Sequence, residues 1–277
     1  MTTAILQNEK LSFEKIKLRA SVYWSLMLTC AKDRKGNVSD LLFSGISHAF
    51  RILVFSAMYR VAFGSSSDPK FIAAIWAVSL SQTMFSFDRP PLTITMGEEI
   101  KDGTIAVFLL RPISYIHYSF FSSLGKSFPS ILTSAISCFS VAYLITSKLP
   151  SAPLEICITL LTAVSGVMVM NILATTWGLL GFWTQETSPY HWIDHKMSLL
   201  FGGLIIPLAL LPDRVQSIVQ FTPWSSALAQ PGKLLSDFTI EKFWLVVALH
   251  VFWFSVIYCL ASFLMYKGTK KLVALGG

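Results

Sequence analysis

The sequence predicts an all-α integral membrane fold with six transmembrane helices, and three observations carry that prediction. Of its 277 residues 53% are hydrophobic and only 13% charged, with a mean hydropathy of +0.60, which is too apolar for a soluble domain. Six apolar runs follow one another, at 41–63, 71–87, 128–145, 154–182, 197–211 and 243–266, most of them long enough to cross a bilayer. Between the second and third lies MGEEIKDGTIAVFLLRPISYIHYSFFSSLGK, residues 96–126, a charged and interrupted stretch that hydrocarbon cannot accept. The whole chain, 1–277, reads as a single transmembrane domain.

The first twenty residues hold four basic and two acidic groups and no apolar core, so they are not expected to act as a cleavable signal, and the N-terminus is expected inside. Phe13 to Cys30 has apolar residues at Phe13, Ile16, Leu18, Val22, Tyr23, Leu26 and Met27 set against Glu14, Lys15, Lys17 and Arg19. This fits a helix lying in the inner interface, with Trp24 as aromatic anchor and KDRKGN at 32–37 as its end. Residues 1–37 are thus expected to be cytoplasmic. The segment 88–126 is also expected on the cytoplasmic side. There Glu98, Glu99, Lys101 and Asp102 need water, while Ile105, Val107, Phe108, Leu109 and Leu110 need an apolar surface, so it should dock on another protein or lie at headgroup level. Ile105, Phe108 and Leu109 have the one-turn spacing that fills a groove on a partner. A plain interfacial loop is the simpler alternative.

The fifth run is short and contains Pro207, and the mixed stretch after it has prolines at 212, 223 and 231. Short re-entrant helices over 212–242 on the outer side fit this pattern, since broken backbone is tolerated only where protein or water satisfies it. Lysine and arginine placement orients the whole. With the N-terminus inside, Lys10, Lys15, Lys17, Arg19, Lys32, Arg34, Lys35, Arg89, Lys101, Arg111, Lys126, Lys196, Lys267, Lys270 and Lys271 fall on the inner side, fifteen in all. Only Lys70, Lys148, Arg214, Lys233 and Lys242 fall outside. Both termini are therefore expected to be cytoplasmic. A basic inner face beside anionic lipid accounts for the net charge of +7 without nucleic acid.

Few residues point to chemistry. Arg51 lies in the first span with His48 one turn before it, and either faces a substrate path or makes a buried structural pair; Arg60 snorkels. Gly103 either caps the docking helix or is a simple turn glycine. Arg111, before Pro112, contacts a partner, lipid phosphate, or nothing beyond the inner interface. His191 and His195 in HWIDH have the spacing of a metal pair, but Trp192 and the lack of further ligands suit an interfacial loop. Cys30, Cys138, Cys157 and Cys259 are far apart with no CxxC, which argues against a disulfide framework or a zinc site and for small apolar fillers. The sole GKS, Gly125–Ser127, has Phe120 where a phosphate loop needs its first glycine, so it does not form one.

IKDGTIAVFLLRPIS, residues 100–114, resembles the "I..G.L..LLLRP.S" signature of permease subunits of type-2 ATP-binding-cassette (ABC) exporters. GGLIIPLALLPDRVQSIVQFTPWSSALAQP, residues 202–231, is similar to a later segment of the same family. Thr104 to Ala106 departs from the leucine or acidic residue common after the glycine. The resemblance implies an elbow helix, six spans, a cytoplasmic coupling helix between spans two and three, and extracellular re-entrant helices before span six. It implies an exporter in the inner membrane of a bacterium, driven by ATP and Mg held on two copies of a separate ATPase. A second permease, identical or similar, completes it. Glu98, Glu99, Gly103, Ile105, Phe108, Leu109 and Arg111 would couple to the ATPase, and Arg51 and His48 would face the substrate path. No cofactor is implied on this chain itself. The substrate would be a drug or antibiotic, a peptide, a lipid or a glycan, and nothing in the sequence selects among them. Two other classes compete: a membrane-embedded lipid-modifying enzyme, for which the spans lack a nucleophile and base, and a non-transporting scaffold.

Overall fold

The computed structural model describes residues 20–33, 38–65, 67–87, 91–205 and 211–275. Among these the chain is helical with no strand. Residues 13–19 of the expected interfacial helix, its terminating turn at 34–37, Arg89 and Pro207 lie outside the described residues. The helices are α1 (20–33), α2 (Val38–Phe63), α3 (Pro69–Phe85), α4 (Leu92–Lys101), α5 (Ile105–Leu109), α6 (Tyr115–Thr146), α7 (Pro153–Leu179), α8 (Gly181–Thr184) and α9 (Ser188–Phe201). After them come α10 (Asp213–Val219), a π-helical turn (Ser225–Ala229) that leads into α11 (Gln230–Ser236), and α12 (Ile240–Leu275).

Local signals set the ends. Asp68 caps α3 by accepting from the Lys70 N–H at 2.7 Å, with Pro69 in the first turn, where a missing N–H costs nothing. Glu155 reaches back to the Ala152 N–H at 3.1 Å to open α7, and Ser147, at φ 51°, closes α6.

Among the described residues, four helical stretches are long and apolar enough to cross a membrane: Val38–Phe63, Tyr115–Thr146, Pro153–Thr184 and Ile240–Leu272. The second apolar run does form a helix, α3, but its 17 residues reach only about 25 Å, less than a hydrocarbon core of about 30 Å. The fifth run is placed differently from the expectation. Helix α9 covers Ser188–Phe201 in place of 197–211, and stops where Gly202 and Gly203 follow. Its 14 residues span about 21 Å.

Helices α2, α3 and α6 pack together on one side, α7 and α12 on the other, and the π turn with α11 is wedged between α3 and α7. α1 lies along the start of α6. There Tyr23 stacks on Phe121 with ring centroids 4.9 Å apart, Cys30 Sγ lies 3.4 Å from Ser122 Oγ, and the Met27 carbonyl occupies the space a Cβ on Gly125 would need. Gly125 of the GKS tripeptide is thus a helix-packing glycine. Of the four cysteines, Cys30 and Cys138 are buried fillers, whereas Cys157 and Cys259 are exposed.

The interrupted backbone after α9 and around the π turn has its carbonyls satisfied by side chains. Gln82 donates to the Leu204 carbonyl at 3.0 Å and Tyr59 to that of Ile205 at 3.0 Å. Ser81 donates to Leu228 at 3.0 Å, His250 Nε2 to Ser226 at 2.7 Å, and Trp253 to Phe221 at 2.8 Å. Gly166 makes room, since a Cβ there would come within 2.3 Å of the Ala227 carbonyl. Replacing Gln82 with Ala is expected to lower unfolding free energy by about 1–3 kcal/mol by orphaning a buried carbonyl, as read by unfolding in micelles. Unchanged stability would show that this carbonyl does not depend on Gln82.

Candidate functional site

The segment between α3 and α6 forms a charged reversal held firmly at its base. Thr93 Oγ1 donates to the Ala174 carbonyl at 3.1 Å, and Thr187 Oγ1 donates to the Thr93 carbonyl at 3.0 Å. A Cβ on Gly178 would lie 2.8 Å from the Met96 Cβ, and one on Gly97 would collide with the Thr187 side chain. Small residues therefore let α4 press against the end of α7. These contacts were not anticipated from sequence; the signal was Gly178 and Gly181, nearly a turn apart at the end of an apolar run. The adjoining loop is braced by Glu186, which accepts from the Ser188 amide at 3.1 Å and its hydroxyl at 2.6 Å, and those donors hold its carboxyl below the usual carboxylate range.

Gly103 closes α4 at φ 73°, and nothing lies within 4 Å of a Cβ built on it. The left-handed backbone, not crowding, is what favours glycine here. The Asp102 and Gly103 amides donate back to the carbonyls of Glu98 at 2.8 Å and Ile100 at 3.2 Å. The reversal turns α5 so that its expected docking face is largely spent internally. Ile105 is fully buried, and Phe108 is half-buried, its ring 4.7 Å from that of Tyr118. The expectation of an outward face of Ile105, Phe108 and Leu109 is corrected on this point: of the three, only Leu109 is exposed. Val107, 58% exposed, and Leu110, 86% exposed, stand beside it. Arg111 is exposed, with its guanidinium 4.8 Å above the Phe108 ring centroid. Glu98, Lys101 and Asp102 face out, whereas Glu99 turns inward and accepts from the Tyr115 hydroxyl at 2.5 Å.

Arg51 and His48 are tied into the packing of α2, α3 and α6. Arg51 donates to Gln82 at 3.1 Å and to Ser47 at 3.4 Å. His48 is buried, with Nδ1 2.8 Å from the Ser44 carbonyl and 3.3 Å from Ser134 Oγ. The pairing with Gln82 places Arg51 level with the last turn of α3, nearer that helix end than its central position in α2 implies.

HWIDH serves a third arrangement. Asp194 is buried and its Oδ1 accepts from the indole N–H of Trp177 at 3.2 Å and of Trp224 at 2.7 Å. His191 and His195 face each other with ring centroids 6.1 Å apart, and His195 also lies against Phe85. Among the described residues no group of three or more His, Cys, Asp or Glu is placed to hold a metal. The carboxylate joins α7, α9 and the segment before the π turn. Two indoles on one acid were not foreseen, because Trp177 and Trp224 are 47 positions apart in sequence.

Described residues that are helical throughout their regular structure, with four span-length helices among them and a polar reversal outside these, define a multi-pass membrane protein. Its residues 46–276 match the family model for the ABC-2 family transporter protein, and the chain belongs to that family. No curated protein matches the chain. As a member it is a permease, the membrane component of an ABC transporter, and membership implies a partner ATPase subunit.

Replacing Gly178 with Val is expected to push α4 off α7, at a cost of about 1–3 kcal/mol. Hydrogen exchange should then rise across 92–101 and stay low in α2. Uniform exchange in the variant would show that α4 is not seated by this contact.

Proposed function

We propose that the chain is the transmembrane half of an exporter, paired with a second permease, identical or similar, and driven by two ATPase subunits that bind ATP and Mg. The observation that carries this reading, beside the family match, is the reversal at 98–111. It exposes Val107, Leu109 and Leu110 among Glu98, Lys101, Asp102 and Arg111, while its base is fixed to the end of α7. An apolar tip ringed by charge suits a groove on a soluble partner, and a rigid base carries a push from that partner into α7 and α6. In this arrangement Glu98, Leu109 and Arg111 meet the ATPase. Gly103 sets the turn, and Ile105, Phe108 and Glu99 hold the segment in shape.

Six crossings fit the same reading: α2, α3, α6, α7, α9 with the run beyond its break, and α12. Both termini then lie on the cytoplasmic side, α1 is the elbow, and 212–242 enters from the outer side. The re-entrant piece goes deep, for Trp224 shares Asp194 with Trp177 near the end of α7, whereas Leu235 lies with Trp76 and Leu149 at the opposite end. Export from the cytoplasm across the inner membrane of a bacterium, which the sequence resemblance implies, is compatible with that orientation. Arg51 and His48 remain candidates for the substrate path, although the bonds they make support a structural role equally well.

Leu110→Asp, at an exposed position, is expected to leave insertion unchanged and to weaken capture of the cognate ATPase about tenfold. Ile105→Asp should instead lower the amount of folded protein. Capture of the ATPase by the Leu110 variant at the wild-type level would reduce the segment to an interfacial loop. The orientation is checked separately in intact cells with the cysteines removed. An impermeant thiol reagent should label a cysteine at Ser236 and not one at Thr104, and the reverse pattern would refute it.

A further inference from the structure

Beyond the end of α3 the first turns of α6 stand beside α4 and enclose a small pocket. Its walls are Leu92, Thr95, Met96 and Glu99 from α4 and Tyr118, Ser119, Ser122, Ser123 and Lys126 from α6. Its volume is about 30 Å³, room for one small polar group and little more. Glu99 and Lys126 line it from different helices and form no ion pair with each other. One carboxylate oxygen of Glu99 is taken by Tyr115, which leaves the other for the pocket. Ser123 is only 6% exposed and is one of three serines that line the pocket. Serine hydroxyls, a carboxylate and an ammonium around one small cavity match a ligand that carries hydrogen-bond donors and a negative charge together.

Depth narrows the class. Ser127 bonds to the carbonyl of Phe87, just past the end of α3, so residues 115–126 extend about 18 Å beyond that end. Of these, residues 122–126 lie within about 8 Å of that end, the depth of a headgroup layer. Beside it α1 exposes Val22, Trp24 and Leu28, side chains suited to the acyl boundary. We infer that this pocket binds the zwitterionic headgroup of a phosphatidylethanolamine, its primary ammonium inside, between Glu99 and the hydroxyls of Ser119 and Ser123, and its phosphate outside the mouth on the half-buried Lys126. A primary ammonium fits the space and donates three hydrogen bonds. The trimethylated ammonium of phosphatidylcholine carries the same charge, is too large, and donates none. The lipid would brace α4 against α6 at the root of the reversal. This site is independent of the docking role, because its occupancy is read without any ATPase.

The test uses the full-length protein in nanodiscs made either of phosphatidylethanolamine and phosphatidylglycerol or of phosphatidylcholine with the same phosphatidylglycerol fraction, with thermal unfolding followed by tryptophan fluorescence. Wild type should melt about 3 °C or more higher with phosphatidylethanolamine. Glu99→Gln and Lys126→Gln should lose that difference, and Ser123→Ala, which removes only a hydroxyl, should at least halve it. Equal melting of the wild type in both lipids would overturn the proposal, as would a difference that survives in the Glu99 and Lys126 variants, since it would then come from the bulk bilayer. Free phosphoethanolamine added to the phosphatidylcholine discs should not reproduce the shift. If it does so in wild type and not in Glu99→Gln, the pocket stands and its assignment to a membrane lipid is overturned.

Discussion

Broken helix inside an apolar layer is the constraint on which the rest of this fold depends. Where α9 stops and the chain returns through the π turn, carbonyls lose their helical partners at a depth where water is scarce, and each orphan would cost several kcal/mol. Side chains from surrounding helices replace the lost bonds: Tyr59 from α2, Ser81 and Gln82 from α3, His250 and Trp253 from α12. The chemistry of His250 is fixed by this duty. Its Nε2 donates to a carbonyl that can only accept, while Nδ1 lies 2.7 Å from the Ser165 hydroxyl, whose single hydrogen also faces the Thr162 carbonyl at 2.8 Å,. The break is therefore stitched to helices on both sides of the molecule.

The same stitching explains why polar residues crowd α3. It is too short to cross the hydrocarbon comfortably, yet it is the most enclosed helix in sequence terms, with Ser79, Ser81, Gln82 and Thr83 all buried. In a bilayer such residues are stable only when bonded to protein. They connect Arg51 of α2, through Gln82, to the break after α9. Movement of the broken segment would be felt in α2 and α3 through bonds and not merely through packing.

At the other end, α4 is held by close approach. Glycines at 97, 178 and 181 remove the side chains that would separate α4 from the ends of α7 and α8, and the two threonine bonds lock the register. Asp194, joining Trp177 and Trp224, places the segment before the π turn next to this base. The reversal and the break thus meet around the end of α7.

The membrane class, the apolar runs, the polar reversal at 96–126 and the left-handed turn at Gly103 were legible in the sequence, because composition and local backbone preference act over a few residues. So was the family resemblance, carried by IKDGTIAVFLLRPIS and the stretch at 202–231. The facing of α5 was not, because its one-turn spacing is the same whether Ile105 and Phe108 point outward or back onto α6, and the choice depends on the turn at Gly103 together with Tyr115 and Tyr118. The end of α9 at Gly202 was hidden by an apolar run that continues past it, since hydropathy does not register a break that distant side chains satisfy. The partners that Arg51, His48 and Asp194 find outside their own helices likewise lie 31, 86, 17 and 30 positions away in sequence. Pairings over such distances are decided by how the helices pack, because a buried charge or carbonyl takes whatever partner the tertiary structure brings within reach.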